Sequence, residues 1–288
     1  MDPRLARVAP ALFVLIWATG FVVARLVAPH AEPLSFLALR FGLAIGVLAA
    51  VATLAGAPWP RTARGWRDGL VAGVLIHGVY LAGVFWSVKQ GLPAGIAALI
   101  AGLQPLATGA LVGPLLGERV SRLRWTGIGI GFLGAALVLA PKLAGVGGVP
   151  PSAVLVCLAG MLAITLGTVW QKRVGGGTDL RTNTAVQYVG ALAAVLPVAL
   201  LTESFRFDGS PEFWIGLAWA VLGLSIGAIF LLMLLIRAGA VAGVASLLYL
   251  VPPVAALMAY LLFGEALTGL QILGMAVAAL GVAVASRG

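Results

Sequence analysis

A few polar side chains lie at central positions of long apolar stretches, and their types limit the chemistry this chain can perform. Arg40 is a cation about two turns inside the second stretch, where a charge normally faces the protein interior and could bind a carboxylate. His77 and Tyr80 lie one turn apart in the third stretch, and an imidazole there could take up a proton. Two structural alternatives stay open. Arg40 could extend outward or pair with carbonyls at a helix end, and a neutral His77 could bond to a neighbouring helix.

Aromatic and amide side chains at similar depth widen the set of candidate binding residues. Trp17, Gly20 and Phe21 share one helical face, which predicts a cavity wall, with ordinary packing as the alternative. Gln187 occupies the position in the second half of the chain that matches Arg40 in the first half. The residues predicted to bind a small molecule are Trp17, Gly20, Phe21, Arg40, His77, Tyr80, Gln104, Gln187 and Tyr249.

Acidic residues are absent from the central parts of the apolar stretches. The nine acids all fall in predicted loops, tails or helix ends: Asp2, Glu32, Asp68, Glu118, Asp179, Glu203, Asp208, Glu212 and Glu265. Proton- and sodium-driven carriers commonly place a carboxylate in the membrane, so a carboxylate relay is excluded. No Walker A, HExxH, paired catalytic acids or metal-binding cluster is present. We therefore expect no catalytic residue, no metal and no cofactor.

The composition places these residues in membrane-spanning helices. Hydrophobic residues make up 61% of the chain and charged residues 9%, whereas soluble domains carry about 25% charged residues. Backbone groups facing lipid must bond internally, so spans of this length form helices. The sequence predicts an all-α membrane protein with ten transmembrane helices, near 9–28, 34–56, 69–88, 92–116, 123–141, 151–171, 183–202, 212–236, 240–263 and 267–286.

The net charge of +9 reflects membrane topology rather than nucleic-acid binding. With a cytoplasmic N-terminus, 13 of the 18 Lys and Arg residues lie in predicted cytoplasmic segments, and 4 lie on the opposite side. This excess predicts that both termini are cytoplasmic in a bacterial inner membrane. The expected partners are the lipid bilayer and a small-molecule substrate such as an amino acid. We expect no nucleic-acid partner and a monomeric protein.

The two halves of the chain match each other at an offset of 147 to 148 positions. Residues 1–141 and 149–288 each hold five predicted spans, and an odd number inverts one repeat relative to the other. Inverted repeats are typical of secondary transporters, whose substrate site lies near the midplane. Mid-span prolines at matching positions, Pro105 and Pro252-Pro253, predict hinges or gates. Matching pairs include Gly20 with Gly167, Arg40 with Gln187, Lys89 with Arg237, and Pro105 with Pro253.

Several of these motifs resemble those of the EamA family in the drug/metabolite transporter superfamily. Trp17 to Phe21 resembles the opening of the EamA half-domain, and Arg40-Phe41 resembles its second-span Arg-aromatic pair. Pro105 followed by Gly117-Glu118 resembles the proline and terminal Gly-Glu of the fourth span, as does Pro253 followed by Gly264-Glu265. The resemblance covers almost the full chain and implies ten helices in two inverted five-helix repeats. The second half departs from it where Gly167-Thr168 replaces Gly-Phe.

Within that superfamily the chain is most similar to the YddG type of bacterial exporter, which moves aromatic amino acids outward. The resemblance implies an alternating-access transporter that exports small metabolites, aromatic or neutral amino acids among them, without obligatory ion coupling. Three alternatives stay open: a broad drug or nucleobase exporter, a channel-like pore, and a membrane-embedded enzyme. The missing intramembrane acids and catalytic motifs argue against the enzyme.

Overall fold

Helices account for the regular secondary structure of this computed structural model in the residues it describes. These are 3–116, 121–143, 148–174, 178–228, 230–231, 250–285 and 287. Besides helices, these ranges contain one isolated bridge, between Ala31 and Phe207. The helices are α1 Pro3–Val27, α2 Pro33–Leu54, α3 Ala63–Gly73, α4 Tyr80–Lys89, α5 Ala94–Gly102, α6 Gln104–Leu116, α7 Arg122–Leu143, α8 Pro151–Val174, α9 Leu180–Thr202, α10 Pro211–Ala218, α11 Val251–Phe263 and α12 Gly269–Ala285.

Helix starts follow local capping signals in the sequence. The side chain of Thr62 accepts a hydrogen bond from the backbone N–H of Gly65 at the start of α3. Asp179 caps α9, and Ser210 caps α10 with Pro211 in the first helical position. These side chains satisfy backbone donors that the first turn of a helix leaves without partners.

Within the described ranges, six apolar helices are long enough to cross a bilayer: Val8–Val27, Pro33–Leu54, Ala63–Lys89, Ala94–Leu111, Pro151–Val174 and Leu180–Thr202. Shorter apolar helices cover Pro211–Gly227, Val251–Phe263 and Gly269–Ala285. This architecture fits the predicted all-α membrane protein. The ten-helix count stays a prediction, because the eighth and ninth predicted stretches include positions outside the described residues.

Two π-helical segments interrupt this α-helical architecture. Val74–Val79 lies between α3 and α4, and Trp219–Gly227 continues α10. In the second segment Ser225 Oγ donates to the backbone carbonyl of Ala220 across 3.0 Å. Such wide turns redirect the side chains that follow and recur at functional sites.

Helices α2 and α9 pack against each other in opposite directions. At one end, the Glu203 carboxylate after α9 accepts hydrogen bonds at 2.7 Å from both the backbone N–H and the hydroxyl of Ser35. At the other end, Thr182 in α9 donates to the backbone carbonyl of Pro58 across 2.9 Å. The start of each helix is therefore fixed near the end of the other.

Glycines bring α7 and α12 close together, also in opposite directions. A Cβ added to Gly134 would lie 2.3 Å from the backbone nitrogen of Ala278, and one added to Gly127 would lie 2.3 Å from that of Ala285. Real Cβ atoms do not approach so closely, so these positions require glycine. Small residues serve this purpose in membranes because they let helix backbones meet.

The predicted proline positions lie at the end of α5 and the start of α11, two helices that pack against each other. Helix α5 ends at Gly102 and α6 begins at Gln104, so the helical path is interrupted just before Pro105. A Cβ on Gly102 would lie 2.6 Å from the side chain of Pro252, which lies in the first turn of α11. The loss of a backbone donor at proline accounts for the interruption.

One end of the bundle, which we call the Arg25 end, is held by a charged cluster. Arg25 Nε lies 3.0 Å from Glu265 Oε1, and Glu265 Oε2 accepts a 2.8 Å hydrogen bond from the backbone N–H of Ala94. Gly264 ends α11 with a φ of 67° that favours glycine and turns the chain at Glu265. Lys89 donates to the backbone carbonyl of Ala28. These contacts join α1, α4, α5 and α11.

Two loops also meet at the Arg25 end. The Glu32 carboxylate accepts hydrogen bonds from the backbone N–H groups of Ser204 at 2.9 Å and Arg206 at 3.1 Å. His30 Nδ1 lies 2.6 Å from Asp208 Oδ2. The loop between α1 and α2 is thus tied to the loop between α9 and α10. The opposite end of the bundle, where Thr182 meets Pro58, is called the Thr182 end below.

Candidate substrate-binding cavity

A cavity of about 280 Å³ lies among α1, α2, α4, α8, α9 and the two π-helical segments. It collects seven of the nine predicted binding residues, although they come from distant parts of the chain. The lining residues are Trp17, Gly20, Phe21, Arg40, Ile76, His77, Tyr80, Leu81, Val84, Phe85, Ile164, Gln171, Leu180, Asn183, Thr184, Gln187, Tyr188 and Leu224. Rare polar groups in apolar helices thus converge on one space.

In the part of the chain that the structure describes, Arg40 is the one charged residue that lines this cavity. The residue is only 5% exposed. Its Nε donates to Ser225 Oγ across 3.4 Å, a long hydrogen bond, and the side chains of Tyr80 and Tyr188 lie beside the guanidinium. A guanidinium carries five N–H donors, so Arg40 can bind a guest through the remaining ones.

His77 and Gln187 form a second polar contact across the same cavity. His77 Nε2 donates to Gln187 Oε1 across 3.2 Å. The His77 ring also packs against Tyr188, with ring centroids 4.6 Å apart and planes tilted by 37°. His77 belongs to the first π-helical segment, just as Ser225 belongs to the second. In each of the two polar contacts, a residue of an α-helix therefore bonds to a residue of a π-helical segment.

Aromatic rings form much of the remaining wall. Trp17 packs against Phe13 at a centroid distance of 5.3 Å, and Tyr188 stacks on Phe41 at 5.5 Å. Towards the Arg25 end, the lining residue Phe85 stacks on buried Phe36 at 5.5 Å. Packed rings of this kind hold their positions, so the wall offers flat apolar surfaces to a guest.

The two ends of the cavity differ. On the Arg25 side, the lining includes Phe85, whose ring stacks on buried Phe36, and Phe36 in turn contacts buried Phe213. On the opposite side, the lining includes Leu180 and Asn183 from the first turn of α9. The cavity therefore extends towards the Thr182 end of the bundle.

The structure places the other predicted site residues elsewhere. The Gln104 amide donates to the hydroxyls of Thr108 and Thr168, both at 3.1 Å, and does not line the cavity. Pro252 and Pro253 line a separate apolar groove of about 520 Å³ between α5, α11 and α12. Tyr249 lies outside the described residues.

Several residues that line the cavity or contact a lining residue are not among the predicted binding residues. Tyr188 directly follows Gln187, and its ring touches both His77 and Phe41. Ser225 could have been found from the repeat, because it lies 148 positions after His77. Asn183 lies one helical turn before Gln187 on the same face of α9.

A second cavity of about 460 Å³ lies at the Arg25 end. Its charged lining residues are Arg25, Lys89 and Glu265, so two cations face one carboxylate. The Glu265 carboxylate is already engaged by Arg25 and by the backbone of Ala94. Val88 and Lys89 of this cavity follow Phe85 of the central cavity on α4.

Comparison with known proteins agrees with this combination of apolar helices and a buried cavity. The chain matches the EamA-like transporter family over residues 8–140 and again over residues 151–287, and it belongs to that family. It is therefore a multi-pass membrane transporter of the drug/metabolite transporter superfamily, as its motifs predicted, and not an enzyme.

Two relatives illustrate the similarity. The chain is 30% identical over 283 residues to "Uncharacterized inner membrane transporter YedA" of Escherichia coli strain K12, covering 96% of this chain and 90% of that protein. It is 26% identical over 278 residues to a "Probable amino-acid metabolite efflux pump" of Salmonella typhimurium, covering 91% and 88%. One solved crystal structure superimposes with a TM-score of 0.66 at 22% identity over 97% of this chain and 96% of that chain, which shows a shared fold.

Proposed function

We propose that this chain is an alternating-access exporter of small carboxylate metabolites, with aromatic and neutral amino acids and their derivatives as first candidates. The observation that carries this proposal is the buried Arg40 in a cavity whose walls are otherwise apolar, aromatic or neutral and polar. An arginine offers a carboxylate paired hydrogen bonds, while rings such as Trp17 and Phe21 suit an apolar side chain. The efflux-pump name of the Salmonella relative points to the same substrate class.

The proposed mechanism uses two inverted five-helix repeats, residues 1–141 and 149–288. Antiparallel packing supports this arrangement, because α2 opposes α9, α5 opposes α11 and α7 opposes α12. An alternating-access carrier exposes one central site to each side in turn. Among the described residues, the central cavity and the cavity at the Arg25 end have no lining residue in common, which favours a carrier over an open pore.

We place the Thr182 end in the cytoplasm of a bacterial inner membrane, together with both chain termini. The excess of Lys and Arg in the segments predicted to be cytoplasmic supports this orientation. Exposed tryptophans near the starts of α3, α7 and α10 suit the two membrane interfaces: Trp66, Trp125 and Trp214. In this orientation the cavity extends towards the cytoplasm, where an exporter loads its substrate.

Counterflow in liposomes tests the proposal. Vesicles holding purified protein are preloaded with an unlabelled compound from a panel of phenylalanine, leucine and their N-acetyl and deaminated derivatives. With equal pH and sodium on both sides, we expect transient, saturable accumulation of the labelled compound. Trp17→Ala and Phe21→Ala remove stacking surface, so each should weaken apparent affinity about two- to tenfold.

A matched control is Leu201→Ala, because Leu201 is exposed on the apolar outer surface of α9. This variant should transport like the wild type. Failure of every compound in the panel to show counterflow would refute the proposed function. Flux that rises linearly with concentration and shows no counterflow would identify a pore instead. Accumulation that requires a proton or sodium gradient would refute transport without obligatory ion coupling.

A further inference from the structure

The charge inside the central cavity is unbalanced. Among the described residues, its lining holds one cation, Arg40, and no acid. The sequence places all nine acids outside the central parts of the predicted spans. At the Thr182 end, Asp179 is paired with Arg181 at 2.7 Å, and Asp68 is paired with Arg67 at 2.9 Å. These carboxylates are therefore engaged by other cations.

A buried cation without a counter-charge is costly, because burial removes the water that stabilised it. The neutral groups around Arg40 compensate only partly, because they bring no negative charge: Ser225 Oγ accepts at 3.4 Å, and the Tyr188 side chain lies within hydrogen-bonding reach. A guest that brings one carboxylate restores neutrality and accepts paired hydrogen bonds from the guanidinium. A guest with a single negative charge therefore matches the charge of this cavity.

The same cavity offers little to an ammonium group. A zwitterionic amino acid carries its ammonium within one carbon of its carboxylate, so a carboxylate held by Arg40 places two cations close together. The available neutral partners are the hydroxyl groups of Tyr80, Tyr188 and Thr184 and the amides of Gln171, Asn183 and Gln187, none of which carries a negative charge. Gln187 already accepts a hydrogen bond from His77. Desolvating an ammonium without a carboxylate partner weakens binding.

The charges that line the cavity at the Arg25 end also favour an anionic substrate. Arg25 and Lys89 line it together with one acid, Glu265. An anion leaving the central cavity towards this end meets a net positive lining, which raises the local concentration of anions. A cation on the same path would be repelled. Both cavities therefore carry the same sign of excess charge.

We propose that the preferred substrates are small monoanions, namely aromatic or branched carboxylates whose amino group is acylated, replaced or absent. Zwitterionic amino acids bind the same site more weakly. This inference rests on the proposed function, and it narrows the substrate class within it. The cavity volume of about 280 Å³ lies near the lower limit for small-molecule sites and suits a single ring.

Isothermal titration of the purified chain near neutral pH tests this charge preference. The probes share one benzyl group: N-acetyl-L-phenylalanine and 3-phenylpropionate are anions, L-phenylalanine is a zwitterion, and 2-phenylethylamine is a cation. We expect both anions to bind at least about tenfold more tightly than the zwitterion, and the cation to show no saturable binding.

Arg40→Gln should remove this preference, so that the anions and the zwitterion bind within about threefold of each other. The control is Arg61→Gln, which removes one positive charge from an exposed position after α2 and should leave the ratio unchanged. The folding of each variant is checked by its thermal unfolding midpoint. If Arg40→Gln does not fold, the wild-type affinity ratios alone decide the question.

The possible outcomes separate the two proposals. Tighter binding of the zwitterion than of both anions overturns the monoanion preference while supporting a carboxylate exporter. Equal binding of all four probes also overturns it. Binding of none, together with absent counterflow, refutes the proposed function itself. A preference that survives in a folded Arg40→Gln variant refutes the role given to Arg40.

Discussion

Two polar contacts face each other across the central cavity, and they differ mainly in charge. Arg40 in α2 donates to Ser225 in the second π-helical segment, and Gln187 in α9 accepts from His77 in the first. The chain offset matches Arg40 to Gln187 and His77 to Ser225. Each half of the chain thus contributes one residue to each contact. The first half gives the α-helical residue to one contact and the π-helical residue to the other, and the second half does the reverse.

The two halves share the backbone geometry of these contacts and differ in the side chains that form them. Both halves place a polar residue of one helix against a π-helical turn of the other half, so the backbone geometry recurs. The side chains do not recur, because one contact carries a permanent charge and the other is an imidazole-amide pair. We infer that the recurring backbone supports movement and that the differing side chains set the substrate.

Exchanging the charge between the two contacts gives the largest expected effect. Arg40→Gln should weaken binding of N-acetyl-L-phenylalanine by about tenfold or more, since a hydrogen bond to a charged group contributes ~1.5–3 kcal/mol. Adding Gln187→Arg should recover affinity to within about tenfold of wild type, because residue 187 faces the same cavity. Calorimetric dissociation constants of the three proteins provide the measurement.

The control for this exchange is Gln187→Met in the Arg40→Gln background, which fills similar space without a charge. It should recover nothing. If the doubly exchanged protein folds, judged by its unfolding midpoint, and still fails to bind better than Arg40→Gln, the two contacts are not interchangeable. The two halves would then be alike in backbone shape only, and not in their capacity to bind the substrate.

The close approach of the helices behind these contacts gives the next largest effect, on stability. A Cβ on Gly73 would lie 1.9 Å from the backbone oxygen of Gln187, and one on Gly190 would lie 2.3 Å from that of Leu70. Gly73→Ala and Gly190→Ala should each destabilise the protein by ~1–3 kcal/mol, as overpacking does. Thermal unfolding in detergent measures the change.

Gly42→Ala and Gly46→Ala are matched controls on α2, because no atom outside their own helix lies within 4 Å of an added Cβ. Alanine favours a helix over glycine by up to ~1 kcal/mol, so these variants should unfold at the same temperature or higher. Equal destabilisation by all four substitutions would show that the contact between α3 and α9 is looser than described.

The smallest expected effect on stability comes from an exposed polar contact at the Arg25 end, between His30 and Asp208. It is a reference for the contacts buried around the cavity. The hydrogen bond from His30 holds the pKa of the Asp208 carboxyl at about 2, below its usual value. Because the folded-state pKa is lowered, its contribution to stability is present above about pH 4 and is lost as the pH falls towards 2. Exposed pairs contribute little in water.

Asp208→Asn should therefore lower the unfolding midpoint only slightly near neutral pH, and the difference from wild type should vanish under strongly acidic conditions. Transport of N-acetyl-L-phenylalanine should be unchanged. A loss of stability as large as that of Gly73→Ala would mean that the loop contact at the Arg25 end matters as much as the helix packing around the cavity.

Much of the cavity could be predicted because polar and bulky groups at mid-depth are rare. Arg40, His77 and Gln187 stand out in apolar helices, and lipid offers them no partner. Trp17 and Phe21 followed from helical spacing. The same argument from depth also selected Gln104, whose amide donates hydrogen bonds to two threonine hydroxyls away from the cavity.

The remaining features depend on geometry that the sequence pattern does not carry. A π-helical segment shifts the helical phase by a fraction of a turn, and apolar residues on all sides of a buried helix hide that shift. Ser225 escaped notice because serine is common in membrane helices and its hydroxyl can bond within its own helix. Its contact with Arg40 requires the three-dimensional structure.

The uncompensated charge of Arg40 links this transporter to the electrical state of the membrane. A monoanion that leaves the cell without a co-transported ion moves one negative charge outward. An inside-negative voltage on the order of 100 mV favours that step by ~2.3 kcal/mol, which supports an outside-to-inside concentration ratio of roughly 50. Export would then be electrogenic, and the resting voltage would supply the driving force that sodium- and proton-coupled carriers draw through an intramembrane carboxylate.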